Sequence, residues 1–238
     1  MSNRAVVLAG GKGTRLRPYT VVFPKPLMPL GDYPILEVIV RQLALEGFDH
    51  ITMAVNHQAN LIKAFFGDGE PWNVRIDYSL ETQPLSTIAP LCLIGNLPDR
   101  FLLMNGDILT DLRFRDLYRN HVESGSVFTI AASNRTHTID YGVLQTDAAS
   151  TLVGFDEKPS VQYLVSMGVY VVEQSVLASV PPGRPYGFDD LMRALIARGD
   201  RVNVKRHDGY WRDLGRPDDY EQAVDEFESQ RGMLLRDV

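Results

Sequence analysis

Glycines follow an apolar run near the start of this 238-residue sequence. The run Ala5–Ala9 has the composition of a buried strand, and it leads into Gly10, Gly11 and Gly13. A strand that ends in glycines lets the backbone approach a ligand closely, and the exposed N–H groups of such a loop bind phosphate oxygens. We predict a nucleotide-binding loop here, although a tight turn without a ligand would also use these glycines.

Two common phosphate-binding patterns do not fit this loop. No G-x-x-x-x-G-K-[ST] string occurs in the sequence. The pattern G-x-G-x-x-G fails because Gly11 and Gly13 are followed by Leu16, where a third glycine is required. The loop is therefore neither a P-loop nor a standard dinucleotide fingerprint, and the second failure argues against a dehydrogenase.

Basic residues follow the glycines closely. Arg15, Arg17 and Lys25 lie within a segment that is stiffened against helix formation by prolines at positions 18, 24, 26 and 29. An arginine offers a planar fork for two phosphate oxygens, and a lysine offers a compact charge. Cations on a restrained loop beside a glycine turn suit a polyphosphate, whereas the alternative interpretation is a solvated basic loop.

Two aspartates could supply metal ligands. Asp107 follows the apolar run Phe101–Met104, and Asp213 lies in the segment Trp211–Gly215. Ligands of open α/β sheets bind beyond the carboxyl ends of the strands. Two carboxylates, together with phosphate oxygens and water, can form the octahedral oxygen shell of Mg²⁺. Taken singly, each aspartate could equally be a turn former or a cap.

The sequence lacks the residue patterns of zinc sites and of serine-nucleophile active sites. The histidines at positions 50, 57, 121, 137 and 207 show no spacing typical of zinc ligands. No G-x-S-x-G elbow occurs. The single cysteine, Cys92, cannot form an internal disulfide, and its apolar neighbours predict a small buried core residue in a reducing compartment.

The candidate residues need a scaffold that brings them together. Segments with the spacing of amphipathic helices lie between apolar runs of the first half. One covers Ile35–Leu43, and a second is formed by Leu61, Ile62, Phe65 and Phe66. The apolar runs have the composition of buried strands and lie at Ala5–Ala9, Ile51–Val55, Val74–Tyr78 and Phe101–Met104. This alternation predicts a mainly parallel sheet.

The second half of the sequence is less regular. Strands are predicted at Val127–Ala132, Gly142–Gln145, Thr151–Phe155 and Val165–Val172, with little helix between them, so some antiparallel pairing is expected. A last helix from Pro217 to about Gln230 carries Tyr220, Ala223, Val224 and Phe227 on one face. This face could cover its own domain or a partner subunit. Without a linker, we predict one domain over residues 1–238, with lobes of about 1–112 and 113–238.

Composition and charge exclude several classes of protein. Hydrophobic residues make up 45% and charged residues 23% of the sequence, which is typical of an ordered globular protein. The net charge of −6 argues against a nucleic-acid partner. No stretch approaches the roughly 20 apolar residues of a membrane span, and no signal peptide is recognised. We predict a cytoplasmic protein that does not bind membranes.

Several motifs together resemble the sugar-1-phosphate nucleotidylyltransferase family. They are, in order, LAGGKGTRLRP, FPKPLMPLGDYPILE, NGD, EKP and WRDLGRPDDY. The match extends from Ala5 to Tyr220. The resemblance implies a Rossmann-like α/β nucleotidyltransferase fold, in which helices flank a mixed, mainly parallel central sheet and a smaller lobe binds the sugar. It also implies transfer of a nucleoside monophosphate from a nucleoside triphosphate to a sugar 1-phosphate, with release of pyrophosphate.

The resemblance also implies a role for each matching residue. Arg15 would hold the leaving phosphates, Lys25 would neutralise the reacting phosphates, and Asp107 and Asp213 would bind Mg²⁺. Lys158 would grip the sugar phosphate, and the sugar pocket would be lined by Gly142, Glu157 and Gly168. The predicted nucleotide-binding residues are Leu8, Ala9, Gly10, Gly11, Gly13, Thr14, Arg15 and Glu81.

One segment departs from the family pattern. Many guanylyl-transferring relatives carry P-L-G-T-A-G where this sequence reads P-L-S-T-I-A, so Ser86 and Ala89 replace two glycines. Their side chains would narrow the space for a base or a sugar. The Lys25-Pro26-Leu27 form favours the guanylyl branch, so GTP is the favoured substrate, with UTP, CTP and dTTP as alternatives. A mannose-like hexose or a heptose 1-phosphate is the expected acceptor.

Other functions remain open at this point. A catalytically silent relative that binds a nucleotide sugar and regulates a partner would be expected to lack one of Arg15, Lys25, Asp107 or Asp213, and all four are present. A glycosyltransferase would need an Asp-x-Asp motif where Asn105-Gly106-Asp107 stands. A homo-oligomer is possible.

Overall fold

The computed structural model describes residues 3–11 and 13–236. The α-helices are α1 (Ile35–Leu45), α2 (Ala59–Phe66), α3 (Phe114–Ser124), α4 (Phe188–Arg198) and α5 (Pro217–Leu235). The strands are β1 (Arg4–Leu8), β2 (Pro29–Leu30), β3 (Tyr33–Pro34), β4 (His50–Val55), β5 (Arg75–Leu80), β6 (Arg100–Asn105), β7 (Ile108–Thr110), β8 (Phe128–Thr138), β9 (Gly142–Thr146), β10 (Leu152–Glu157), β11 (Ser160–Glu173), β12 (Val202–Arg206) and β13 (Trp211–Asp213).

A seven-stranded sheet with the order β12-β8-β11-β6-β1-β4-β5 forms the centre of the fold. Strand β1 is parallel to β4 and β6, β4 is parallel to β5, and β12 is parallel to β8. Strand β11 is antiparallel to both of its neighbours, β6 and β8. The prediction of a mixed, mainly parallel sheet with antiparallel pairing in the second half is confirmed.

The chain changes direction across the sheet at β1. From β1 it adds β4 and β5 on one side, and β6 and β11 on the other. The carboxyl ends of β1 and β6 therefore border a topological switch point, where ligands of open α/β sheets bind. The loops after these two strands touch directly, because the Gly106 N–H donates to the Leu8 carbonyl at 2.9 Å.

Helices α1 and α2 cover one face of the sheet. Helix α1 buries Leu36, Ile39, Val40 and Leu43, as its spacing predicts. In α2 Ile62 and Phe66 are buried together with Ala59, whereas Leu61 and Phe65 are 42% and 45% exposed. Leu61 and Phe65 form one i,i+4 pair, and Ile62 and Phe66 form the pair beside it. Only the second pair faces the sheet. The prediction of a single inward face was therefore wrong for Leu61 and Phe65.

Helix α5 packs on its own chain. Tyr220, Ala223 and Phe227 are buried in a cluster with Leu16 and Leu30 of the first lobe, whereas Val224 is 40% exposed. The helix therefore covers its own domain, and its inward face is narrower than predicted. It also supports the proline-rich basic segment, since the Tyr220 hydroxyl donates to the Pro29 carbonyl at 2.7 Å.

The prediction for Cys92 was wrong, because this residue is exposed. Residues Ala89–Leu93 form a 3₁₀ helix, in which Leu91 is fully buried and Leu93 is 49% exposed. A 3₁₀ helix has three residues per turn, so a continuous apolar run cannot bury every member. Within residues 3–11 and 13–236, every helix is too short or too polar to cross a lipid bilayer.

Candidate active site

The glycine loop after β1 is held by side chains from two other segments. The Gly11 N–H donates to Asn56 Oδ1 at 2.9 Å, and the Thr20 hydroxyl donates to the Gly13 carbonyl at 2.7 Å. Gly13 has φ 56°, and a Cβ there would lie 2.9 Å from the Thr20 methyl carbon. Position 13 therefore requires glycine both for its conformation and for space. Lys12, between these glycines, lies outside the described residues.

A cavity of about 300 Å³ opens beside this loop. Glu81 organises one wall, since its carboxylate accepts hydrogen bonds from Asn56 Nδ2 at 2.9 Å and from the Leu85 N–H. Asn56 in turn accepts from Gly11, so the carboxylate positions the glycine loop through one amide. The cavity is lined by Leu8, Gly10, Gly11, Ala54, Asn56, Glu81, Pro84, Ser86, Thr87 and Pro90.

The basic segment from Arg15 to Lys25 is anchored by buried residues next to its cations. Leu16 and Pro26 are buried within two 3₁₀ turns, Thr14–Leu16 and Lys25–Leu27. Arg15 is exposed, and no hydrogen bond or ion pair holds its guanidinium within the described part of the chain. Because Leu16 fixes the backbone and the guanidinium has no hydrogen bond or ion pair with another described residue, Arg15 is available to bind an anion.

Asp107 and Asp213 lie side by side. Strand β13 pairs with β7 so that Asp213 is opposite Ile108, and the Leu214 N–H donates to the Asp107 carbonyl at 3.0 Å. Lys25 Nζ forms an ion pair with Asp107 Oδ2, and the lysine side chain is only 11% exposed. The structure thus brings together two residues that are 106 positions apart in the sequence.

Arg15 also lies near Asp213, because a Cβ on Gly215 would be 3.0 Å from Asp213 Oδ1 and 3.3 Å from Arg15 Nη2. Burial raises the pKa of Asp213, and the nearby Asp107 carboxylate raises it further. Lys25, a hydrogen bond from the Gly215 backbone and Arg15 act in the opposite direction. Arg15, Lys25, Asp107 and Asp213 therefore form one cluster at the switch point, which we call the charged cluster.

Gly168 borders the charged cluster from β11. The register between β11 and β8 shifts between Ser166 and Tyr170, and Gly168 within this bulge has φ 76°. A Cβ on Gly168 would lie 2.7 Å from Asn105 Nδ2, two residues before Asp107. The Trp211 indole N–H donates to the Met167 carbonyl at 3.0 Å, which ties the bulge to the strand that carries Asp213.

The other residues that were predicted to bind the sugar phosphate lie on a separate hairpin. Gly142 of β9 is the register partner of Glu157 in β10, and Lys158 follows with φ 46° in the turn before β11. A Cβ at Gly142 would lie 2.5 Å from the Phe155 ring. All three candidates are exposed, and no hydrogen bond or ion pair among the described residues joins them to the charged cluster. Their role in sugar binding stays a prediction.

Sequence reasoning missed two positioning residues of the glycine loop. Asn56 is the first residue after β4, so it occupies the carboxyl end of the strand next to β1. That location was a usable signal, because polar residues there face the switch point. Thr20 gave no comparable signal, since its contact with Gly13 depends on how the proline-rich segment folds back.

The sequence profile of the nucleotidyl transferase family matches residues 4–230. The chain therefore belongs to this family, and the resemblance drawn from the motifs is confirmed. It is 32% identical over 99% of its length to the UTP–glucose-1-phosphate uridylyltransferase of Synechocystis sp.. It is 33% identical over 91% of its length to the mannose-1-phosphate guanylyltransferase of Mycobacterium tuberculosis. The chain spans 64% and 62% of the lengths of these two relatives.

Solved structures agree on the fold. A Bacillus anthracis chain assigned as a glucose-1-phosphate thymidylyltransferase superposes with a TM-score of 0.74 at 21% identity, covering 100% of this chain and 96% of the other. HddC from Yersinia pseudotuberculosis superposes with a TM-score of 0.72 at 23% identity, covering 94% of this chain and 99% of the other. The predicted Rossmann-like nucleotidyltransferase fold is confirmed.

Proposed function

We propose that this protein transfers a nucleoside monophosphate from a nucleoside triphosphate to a sugar 1-phosphate and releases pyrophosphate. The observation that carries the proposal is the charged cluster, in which Arg15, Lys25, Asp107 and Asp213 share one environment beside the glycine loop. The names of the two relatives describe this reaction with different bases and sugars. A catalytically silent binding protein would be expected to have lost one of these four residues, and all four are present.

The residues fit in-line attack on the α-phosphorus. The attacking phosphate monoester is already a nucleophile at neutral pH, so the protein needs no serine nucleophile or histidine base. Its task is to align two anions that repel each other and to neutralise their charge. In this proposal the glycine loop and the neighbouring cavity hold the nucleotide, Arg15 holds the leaving phosphates, and Lys25 neutralises the reacting ones.

The charged cluster fits Mg²⁺ by the chemistry of its donors. Mg²⁺ is bound in proteins by one or two carboxylates plus substrate phosphates and water, and Asp107 and Asp213 provide two adjacent carboxylates. The described residues contain no group of three or more potential ligands, so phosphates and water would complete the shell. Burial and the repulsion from Asp107 raise the pKa of Asp213, and a bound cation would relieve that repulsion. When bound, the ion would supply charge neutralisation for the phosphates.

The identity of the base is proposed from the Lys25-Pro26-Leu27 form, which favours the guanylyl branch, and the cavity wall limits the space for it. Ser86 lines the cavity with φ 69°, a conformation that favours glycine, and its side chain occupies space that a glycine would leave open. We favour GTP, with UTP, CTP and dTTP as alternatives, and a mannose-like hexose or a heptose 1-phosphate as the acceptor. The two relatives are named for a guanylyl and a uridylyl transfer, so both bases belong in the test.

A pyrophosphate assay tests the proposal. The protein is incubated with Mg²⁺, each of the four nucleoside triphosphates and a panel of sugar 1-phosphates, while pyrophosphate is recorded continuously. We expect release that needs both substrates and ceases on chelation of the metal. Binding of a nucleotide sugar without pyrophosphate release for any pair would instead support the catalytically silent regulator.

A further inference from the structure

A second polar cavity lies at the amino edge of the central sheet. It measures about 250 Å³ and lies between strands β1, β4 and β5 and the loop 95–98. Arg4 is the register partner of His50, and His50 is the register partner of Arg75. Register partners in a parallel sheet project from the same face and lie roughly 4.8 Å apart. The first residues of three neighbouring strands therefore form a basic row along this cavity.

Arg4, the buried residue of this row, has only neutral hydrogen-bond partners among the described residues. Arg4 is 7% exposed. Its Nε and Nη2 groups donate to Thr52 Oγ1 at 3.0 and 2.7 Å, and Nη1 donates to the Asn96 carbonyl at 2.6 Å. These bonds use three of its five N–H donors. A buried guanidinium is costly unless an anion compensates its charge.

The carboxylate that lines this cavity is already shared. Asp77 accepts from His50 Nε2 at 2.7 Å and forms an ion pair with Arg75 at 3.2 Å. Arg4 and Arg75 thus carry two positive charges against one carboxylate, a net charge of +1 before His50 is counted. Burial lowers the pKa of Arg4, the Asp77 carboxylate opposes this shift, and the Arg75 charge lowers the pKa by a smaller amount. Among the described residues that line the cavity, Asp77 is the one carboxylate, and it stands against two guanidinium groups.

We propose that this cavity binds a small oxyanion of the phosphate class, at a site separate from the charged cluster. Arg4 supplies the buried charge, and Arg75 and His50 supply the rim. The volume of about 250 Å³ is below the roughly 300–1,000 Å³ typical of pockets for larger organic ligands, which favours a small anion.

The oxyanion cavity and the candidate nucleotide cavity share one face of the same strands. Leu8 and Ala54 line the nucleotide cavity and lie four residues after Arg4 and His50. At about 3.3 Å per residue the two sites are separated by roughly 13 Å along the strands. A phosphate held by the charged cluster cannot also reach Arg4, so the two sites are independently testable.

Calorimetric titration with inorganic phosphate at constant ionic strength tests the proposal. Because the charged cluster also suits phosphate, the reference is the Arg15→Gln variant, and the test variant adds His50→Gln and Arg75→Gln to it. Arg75 is 70% exposed, so its replacement leaves the core intact. We expect at least tenfold weaker phosphate binding in the test variant. A matched control adds Arg119→Gln, whose side chain is 66% exposed and pairs with Asp116, and should bind like the reference.

Two results would overturn the proposal. One is equal phosphate affinity in the reference and in the test variant when both show the same folded circular dichroism spectrum. The other is that chloride at equal ionic strength competes as well as phosphate, which would indicate charge screening alone. Neither result bears on pyrophosphate release, so failure here is distinguishable from failure of the proposed transferase activity.

Discussion

At the scale of single residues, the candidate site depends on one lysine between the glycine loop and two carboxylates. Lys25 is nearly buried, and its ion pair with Asp107 fixes the ammonium group at the switch point. Asp213 lies close enough for its pKa to respond to both groups. The lysine offsets part of the repulsion between the carboxylates, and in the proposed reaction it would neutralise the phosphates as their charge increases.

Replacing Lys25 should therefore slow the reaction strongly. We expect Lys25→Ala to lower the turnover number for pyrophosphate release by on the order of 10²–10³, the scale for losing one preorganised charge-stabilising group. Arg15→Ala and Asp107→Ala should have effects of similar size. Lys205→Ala, at an exposed lysine of β12, is the matched control and should leave turnover unchanged. Near-normal rates in all three site variants would remove the proposed site.

At the scale of elements, the bulge in β11 positions the end of β6. Gly168 adopts a positive φ and leaves no room for a Cβ beside Asn105. The adjacent Met167 carbonyl is bound by Trp211, so the bulge links β6 to the strand that carries Asp213. The two carboxylates keep their spacing because three elements meet at this bulge.

The variant Gly168→Ala should damage both stability and activity. We expect the free energy of unfolding to fall by about 2 kcal/mol or more, since a strained backbone costs roughly 1–2 kcal/mol and overpacking adds to it. Gly199→Ala is the matched control, because Gly199 has a similar φ of 71° but open space around its Cβ position. It should lose only about 1 kcal/mol and keep full turnover. Equal losses of stability in urea titrations would contradict the role of the Asn105 contact.

At the scale of the whole molecule, a buried histidine of helix α3 joins that helix to two strands of the central sheet. His121 of α3 accepts from the Thr129 hydroxyl at 2.8 Å and donates from Nε2 to Glu173 at 3.2 Å. Glu173 also pairs with Arg100 of β6. Burial lowers the pKa of His121 below its usual 6.5, although Glu173 opposes this shift.

This shift predicts lower stability in mild acid. At about pH 7.5, well above the ordinary pKa of 6.5, both the folded and the unfolded states hold His121 mostly neutral, so it has little effect. As the pH falls further, the unfolded chain takes up a proton that the folded protein does not, and the free energy of unfolding decreases. Urea titrations at about pH 7.5 and 5.5 should show the decrease, and His121→Gln should reduce it. His137→Gln, at an exposed histidine, should leave the pH dependence unchanged, and the idea fails if both variants behave alike.

The parts of the fold that the sequence predicted well have strong local patterns. The apolar runs of β1, β4, β5 and β6 and the spacing of α1 are signals that burial on a parallel sheet produces directly. Helix α3 was missed because its buried positions, Phe114, Leu117 and His121, are few and include a histidine. Helix α4 was missed as well, since only Leu191 and Leu195 are buried.

The sequence by itself determined the family, the glycine loop and the residue types of the charged cluster, because these are local motifs in a fixed order. It could not show that Asp213 is the neighbour of Asp107, since that contact exists only through the pairing of β13 with β7. Nor could it show the basic row of Arg4, His50 and Arg75, which are brought into register by strand pairing across 71 positions of sequence. Chemistry between distant residues is decided by sheet topology, which the spacing of residues along the chain does not encode.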